Sequence, residues 1–338
     1  MTGRLRVGAC VSLSGRFARF GRQAALGLET WRSLAGDFEL IIDDDRSDRD
    51  TLAALLPDVA ARCDLLLGPY STVLTRVAAG IAADTGRLLW NHGGSGDDVQ
   101  ASHPGYTVSV LTPASQYAAP FVRHIAGHPG AAPLCVVTGK GSFGRQVTAG
   151  AAEAAHAFGI EVMRPGRGPD LPACHSSSWD LISAGGFEDD VATVRSALKL
   201  PRPPRAVCSV AAGVQEFGNA IADPAGIFGI GQWAPGTGLS ARIGPAETEF
   251  VTAYTQRTGT RPDYPAVQTV AAAVLATHCA QLVGGTTRDL LWAAAASLDT
   301  STLFGRFRVR PDGVQCGHGP ALVQWTTDDL HLVMLPAR

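Results

Sequence analysis

Short runs of apolar and β-branched residues alternate along the chain with longer segments whose apolar positions recur every three or four residues, and this alternation starts twice. The runs 5–12, 38–43, 64–67, 88–90, 106–110, 134–138, 160–163, 205–210 and 226–230 read as strands. Between several of them lie helical spacings: Ala24, Leu28, Trp31; Leu52, Leu55, Val59; Leu74, Val77, Ile81; and Val191, Val194, Leu198. Val267, Val270, Val274, Leu275 and Leu282 mark a further helix. Near-continuous apolar strands separated by helices predict parallel sheets covered on both faces, an α/β fold. The restart at Leu134 predicts a second sheet, hence two lobes. The segments 321–325 and 331–335, either side of Thr326-Thr327-Asp328-Asp329, read as a closing hairpin.

Composition excludes several classes. Lys+Arg 28 against Asp+Glu 30 gives a net charge of −2, without the basic excess of a general nucleic-acid binder. No unbroken apolar stretch reaches the ~18 residues of a spanning helix; the most apolar segment, 266–283, carries Gln268, His278 and Gln281. The opening MTGRLRVGACVSLSG lacks the apolar block of a secretory signal. The chain as written is therefore expected in the cytoplasm, or outside it if a leader has been removed. Its 7 cysteines are scattered singly. Cys10, Cys135 and Cys208, in apolar runs, are expected as small buried hydrophobes.

Candidate catalytic motifs are weak. Gly139, Gly141 and Gly144 make a literal GxGxxG after a strand. Two readings follow: an NADP site, since the next strand ends at Arg164 without the ribose-binding acid, or a sharp strand-to-helix turn, which is preferred. His124 and His128 are four apart with no evident third ligand, and Cys316-Gly317-His318 shares that weakness. Cys174-His175-Ser176 sits in a polar loop, where adjacent residues rarely form a nucleophile–base pair. Asp43-Asp44-Asp45 reads as a solvated acidic strand end. No catalytic residue, metal site or cofactor is assigned.

Small hydroxyl residues and glycines just past strand ends are more informative: Ser14-Gly15, Ser71-Thr72 and Gly93-Gly94-Ser95. In open α/β sheets ligands bind beyond the carboxyl ends of the strands, where helix amino termini offer N–H groups to an anion.

In order and spacing these pieces resemble the type I periplasmic-binding-protein-like family, in particular its branch that binds leucine, isoleucine and valine for ABC transporters. The matching segments are Val7 through Gly15, Phe20-Gly21, Asp43-Asp44-Asp45, Leu66 through Thr72, Gly86 through Ser95, Ser142-Phe143-Gly144, Pro262 through Val267, and Phe304 through Phe307. The resemblance implies two doubly wound lobes, 1–114 with 242–316 and 115–241 with 317–338, joined by crossovers near 112–115, 235–241 and 317–321. It also implies a small-molecule ligand in the cleft between them. By position, Ser71, Thr72, Ser95 and N–H groups near Gly93 would hold a ligand carboxylate, and Phe20 and Phe143 would be pocket walls. Partners would be an ABC permease or, for a cytoplasmic sensor, a regulatory protein.

Two departures bear on the ligand. Amino-acid binders of this family offer an acid after the strand 226–230, whereas this chain reads Gly231-Gln232-Trp233. An aromatic after the preceding strand is replaced by Ala212-Gly213. The expected ligand is therefore a small carboxylate or amide with an apolar or aromatic body and no α-ammonium. Trp90, Trp233, Phe20 and Phe143 would flank it, Gln232 would supply one amide, and Gly213 would leave room.

Overall fold

A computed structural model describes residues 4–36, 38–130, 132–165, 171, 178–236, 240–327 and 329–334. Cys174, His175 and Ser176 lie outside the described residues. The chain divides into two units: Met1–Thr112 with Thr237–His318, and Pro113–Gly236 with Gly319–Arg338.

Unit one begins with β1 (Leu5–Val11), α1 (Ala18–Ala35), β2 (Phe38–Asp44), α2 (Arg49–Arg62), β3 (Leu65–Leu67), α3 (Thr72–Asp84), β4 (Leu89–Asn91) and β5 (Thr107–Ser109). Unit two follows with α4 (Ala119–Ala126), β6 (Leu134–Thr138), α5 (Ser142–Ala157), β7 (Val162–Met163), β8 (Asp180–Ala184), α6 (Phe187–Leu198), β9 (Val207–Ser209), α7 (Glu216–Ala220) and β10 (Phe228–Gly231). The chain returns to unit one for α8 (Glu247–Thr258), α9 (Tyr264–Val283), α10 (Arg288–Ser297), β11 (Thr300–Thr302) and β12 (Gly305–Phe307), then closes in unit two with β13 (Ala321–Trp325) and β14 (Leu330–Met334).

The first sheet runs β2-β1-β3-β4-β5 and is parallel throughout. The strand order reverses between β1 and β3, which makes the carboxyl ends of those two strands the topological switch point. One face is packed by α2 and α3, whose Leu52, Leu56, Val59, Leu74, Ala78 and Ala82 meet Cys10, Leu66 and Leu89. At roughly 1.5–3 kcal/mol for each fully buried large aliphatic side chain, such contacts hold the layers together. Helix α9 is long and apolar enough to cross a membrane by length and composition. Its residues from Pro265 to Ala276 are all buried inside unit one, so it is a core helix here.

The second sheet runs β14-β13-β10-β9-β8-β6-β7, parallel from β7 to β10 and antiparallel at the terminal hairpin. Side-chain alternation along its strands splits the core in two. Leu134, Val136, Ile182 and Cys208 face α4 and α5, while Cys135, Leu181 and Val207 face α6. Both layers belong to a doubly wound sheet, as the continuous apolar runs predict.

Three sequence expectations need correction. Strand β8 is absent from the predicted set because Asp180 and Ser183 break its apolar run. Both are buried and partnered, Asp180 by Arg205 and Ser183 by Asp190. The two-stranded β11–β12 ribbon is likewise unpredicted. The acidic strand end is only partly solvated: Asp45 is buried and accepts from the Ser12 hydroxyl at 2.6 Å, while half-buried Asp44 accepts from the N–H groups of Leu13, Ser14 and Arg46. Burial pulls Asp44 upward, but the Ser14 hydroxyl and these N–H groups outweigh it and hold its carboxyl below the ordinary range. The run staples the β1 and β2 loops together.

Candidate functional site

The loops after β3 and β4 are zipped to each other. Tyr70 and Gly93 form a parallel bridge, and the Ser71 N–H donates to the Gly93 carbonyl at 3.0 Å. Ser71 caps α3, its hydroxyl accepting from the Leu74 N–H at 3.3 Å, with its backbone at φ +87°. Thr72, the first residue of α3 and 5% exposed, accepts from the Gly96 N–H at 3.0 Å. A side chain at Gly96 would bring its Cβ within 2.3 Å of the Thr72 methyl. Glycine at 96 is thus what lets the turn lie against the start of α3 and places Ser95 beside Thr72 in the chain path. Ser95 is 7% exposed and its hydroxyl makes no hydrogen bond among the described residues.

Asn91 organises this turn and was not anticipated. Its Oδ1 accepts from the Gly93 and Gly94 N–H groups at 3.2 and 2.8 Å, and its Nδ2 donates to the Gly94 carbonyl and the Ser109 hydroxyl at 2.7 Å each. An asparagine at the end of a strand, two residues before Gly-Gly, is a signal for such side chain–backbone turns. The Gly93 N–H therefore points into the turn, which corrects its expected role as a ligand donor.

Behind the turn, His92 is buried and its Nδ1 lies 2.9 Å from the Thr269 hydroxyl. That hydroxyl donates to the Pro265 carbonyl at 2.7 Å, so the imidazole Nδ1–H is the donor to Thr269. Burial pushes the His92 pKa down to about 4, so the ring is neutral at pH 7. Beside these loops, Phe20 stacks on Tyr70 with centroids 4.3 Å apart, and Phe17 tilts against the same ring at 5.9 Å. The Tyr70 and Tyr264 hydroxyls are 2.8 Å apart. Phe20 is half-buried in this cluster, where Tyr70 already covers one of its faces. Trp90, in β4, is fully buried core and not a surface on which a ligand could lie.

In unit two, Phe143 stands at the start of α5, half-buried and edge-on to Tyr117 at 5.4 Å. Gln232 and Trp233 follow β10 and are both buried. Gly213 ends a 3-10 turn, and a Cβ there would meet the Ile230 carbonyl oxygen at 2.2 Å. Its smallness serves the close approach of this turn to β10. Glu216 is exposed in the first turn of α7. The stretch after β10 holds no carboxylate.

The GxGxxG glycines have a packing explanation as well. A Cβ at Gly139 would lie 2.2 Å from the Gly185 Cα, and one at Gly144 would lie 2.5 Å from the Ala184 carbonyl oxygen. Both serve the contact between the β6–α5 turn and the end of β8. Among the described residues no group of three His, Cys, Asp or Glu is placed to hold a metal.

A family model described as "Periplasmic binding protein" matches residues 4–329. The chain belongs to the periplasmic binding protein family. A search of curated proteins finds no significant match. Among solved structures, this periplasmic binding protein is similar to a branched-chain amino acid transporter substrate-binding protein from Streptococcus pneumoniae in complex with isoleucine, at TM-score 0.80 and 14% identity over 98% of this chain and 99% of that one. It is similar to an ABC-transporter solute-binding protein of Rhodopseudomonas palustris BisB5 in complex with 3,4-dihydroxybenzoic acid, at TM-score 0.81 and 17% identity over 98% and 96%. It is also similar to a solute-binding protein from R. palustris in complex with benzoate, at TM-score 0.77 and 18% identity over 99% and 98%. At these identities the likeness establishes the shared fold. The oxidoreductase reading finds no support among these relatives.

Proposed function

We propose that this protein is a non-catalytic binder of a small carboxylate or amide, serving as the substrate-binding component of an ABC transporter or as a ligand sensor on the same fold. The observation that carries the reading is the α3 amino terminus at the edge of the β1/β3 switch point. Its side-chain hydroxyls and the amino-terminal end of the helix dipole offer a carboxylate a site without a cation. Thr72 and Ser95 are the anchors, with Ser71 fixing the start of the helix. Phe20, Phe143, Gln232 and Trp233 are assigned to the ligand body.

The same reading names the ligand class: a carboxylate or amide with an apolar or aromatic body and no free ammonium. A buried ammonium needs a paired carboxylate, because desolvating a lone charge costs several kcal/mol. After β10 the chain supplies Gln232 and no acid. The benzoate and dihydroxybenzoate held by two structural relatives support this class. Isoleucine in a third makes branched-chain amino acids the alternative. An ABC permease is the proposed partner, on the extracytoplasmic side that the family name indicates.

A thermal-shift screen across small carboxylates, amides and amino acids tests the reading. A true ligand at about 100 times its Kd adds about 2.7 kcal/mol of stability. A screen in which no organic acid or amide shifts the melting temperature would count against it.

A further inference from the structure

Apart from the loops already described, the structure brings His124 and His128 of unit two together in a way that sequence spacing alone does not guarantee. His124 is in the last turn of α4, half-buried, its ring tilted over Phe228 with centroids 4.7 Å apart. His128 lies just beyond the helix and is exposed. The chain between them is a tight turn in which the Gly127 N–H donates to the His124 carbonyl at 3.2 Å and the His128 N–H to the Ile125 carbonyl at 3.1 Å. That turn folds the second ring back onto the first, and the two Nε2 atoms come to 3.1 Å.

We infer that His124 and His128 form a two-histidine chelate for a borderline divalent cation such as Zn(II), Ni(II) or Cu(II). A metal about 2.05 Å from each nitrogen would subtend about 100° at the observed Nε2 separation, which is a normal cis angle for imidazole ligands. The ring centroids, 4.7 Å apart, leave both Nε2 atoms within reach of a single ion. The carboxyl end of α4 adds the negative end of its helix dipole, which favours a cation.

In the metal-free chain one ring supplies the proton of the Nε2···Nε2 hydrogen bond. Binding moves that proton to the Nδ1 of the same ring and leaves both Nε2 lone pairs on the metal. Burial, and then repulsion from His128, holds the His124 pKa below its ordinary value. Asp180 opposes that shift by favouring the charged ring. The other charges near the pair are Arg123 on α4 and Arg205, which binds Asp180 and reaches the Pro129 and Gly130 carbonyls. With two protein ligands, the remaining positions fall to water or to a donor from another molecule. The site is therefore of modest affinity and selects nitrogen-loving metals over Mg(II) or Ca(II).

Calorimetric titration of the Cys316→Ser protein with NiCl2 and ZnCl2 tests this, the substitution removing the exposed thiol among the described residues. The expected result is one equivalent of saturable binding, weakened at least about tenfold by His128→Gln or His124→Gln. His128 is exposed, so its variant keeps the melting temperature of the parent and its result stands even if the His124 variant misfolds. Unchanged affinity in His128→Gln, equal binding of MgCl2, or no saturable binding would overturn the proposal.

Discussion

The Gly96 N–H donates to the Thr72 hydroxyl at 3.0 Å, tying the glycine turn after β4 to the first residue of α3. The bond depends on the missing side chain at 96, where a Cβ would lie 2.3 Å from the Thr72 methyl. Gly96→Ala is therefore expected to cost about 1–3 kcal/mol in urea unfolding and to weaken ligand binding. Thr72→Ala, by removing that methyl, should recover part of the stability loss. Additive costs in the double variant would refute the proposed contact.

The pH dependence of stability carries two opposing buried groups. Asp190, held by the Ser183 hydroxyl at 2.6 Å and the Ala211 N–H at 3.2 Å, has its pKa pushed up to about 6 by burial. Asp189 is the titratable group that acts on it, and its charge disfavours that of Asp190. The folded chain takes up this proton before the unfolded chain does, so stability rises as pH falls from about 6 towards 4. His92 has the opposite sign. Its folded pKa of about 4 lies below the ordinary 6.5, so stability is lost as pH falls through the same window. Each contribution is on the order of 3 kcal/mol, and they largely cancel. Relative to the parent, His92→Asn should become more stable towards acid and Asp190→Asn less so. Urea midpoints between pH 4 and 7 with parallel slopes in all three proteins would contradict this account.

Arg205 grips Asp180 through two bonds, Nε to Oδ1 at 3.0 Å and Nη2 to Oδ2 at 2.6 Å, and Asp180 is fully buried. Truncating the partner leaves a buried charge unpaired. Arg205→Met is expected to lower unfolding stability by about 3–5 kcal/mol. An exposed pair such as Arg306–Asp299 provides the control, with Arg306→Met leaving unfolding stability nearly unchanged.

Gly139 packs against Gly185 rather than waiting for a pyrophosphate. Gly139→Ala should lower the melting temperature by several degrees, because the atom in its way is backbone. NADPH at millimolar concentration should leave the parent melting temperature unchanged, and a clear NADPH-dependent rise would revive the dinucleotide reading.

The alternation of apolar strands and amphipathic helices made the two doubly wound sheets legible, since parallel strands buried on both faces leave continuous apolar runs. The terminal hairpin followed from its turn-rich centre. What escaped was polar and buried. Asp180 and Ser183 look like loop residues in a sequence and become strand residues only because Arg205 and Asp190, 25 and 7 positions away, satisfy them. Asn91 escaped because its four bonds exist only once Gly93, Gly94 and Ser109 are in place. The close approach of the Ile230 carbonyl to Gly213 likewise could not be read from the sequence. Spacing identified the segment carrying Thr72 and Ser95, whereas the direction of the Gly93 N–H required coordinates.

The central claim is that the ligand is an anion without an ammonium, and paired calorimetry tests it most directly. Leucine and phenylalanine would be titrated beside their deaminated counterparts, 4-methyl-2-oxopentanoate and 3-phenyl-2-oxopropanoate, and beside benzoate, with the parent protein and with Thr72→Val. The account predicts saturable binding of at least one deaminated acid, at least about tenfold tighter than its amino-acid counterpart, and weakened in Thr72→Val by roughly 1.5–3 kcal/mol for the lost hydrogen bond to a charged group. Tight binding of leucine or phenylalanine with none for the deaminated acids would contradict it.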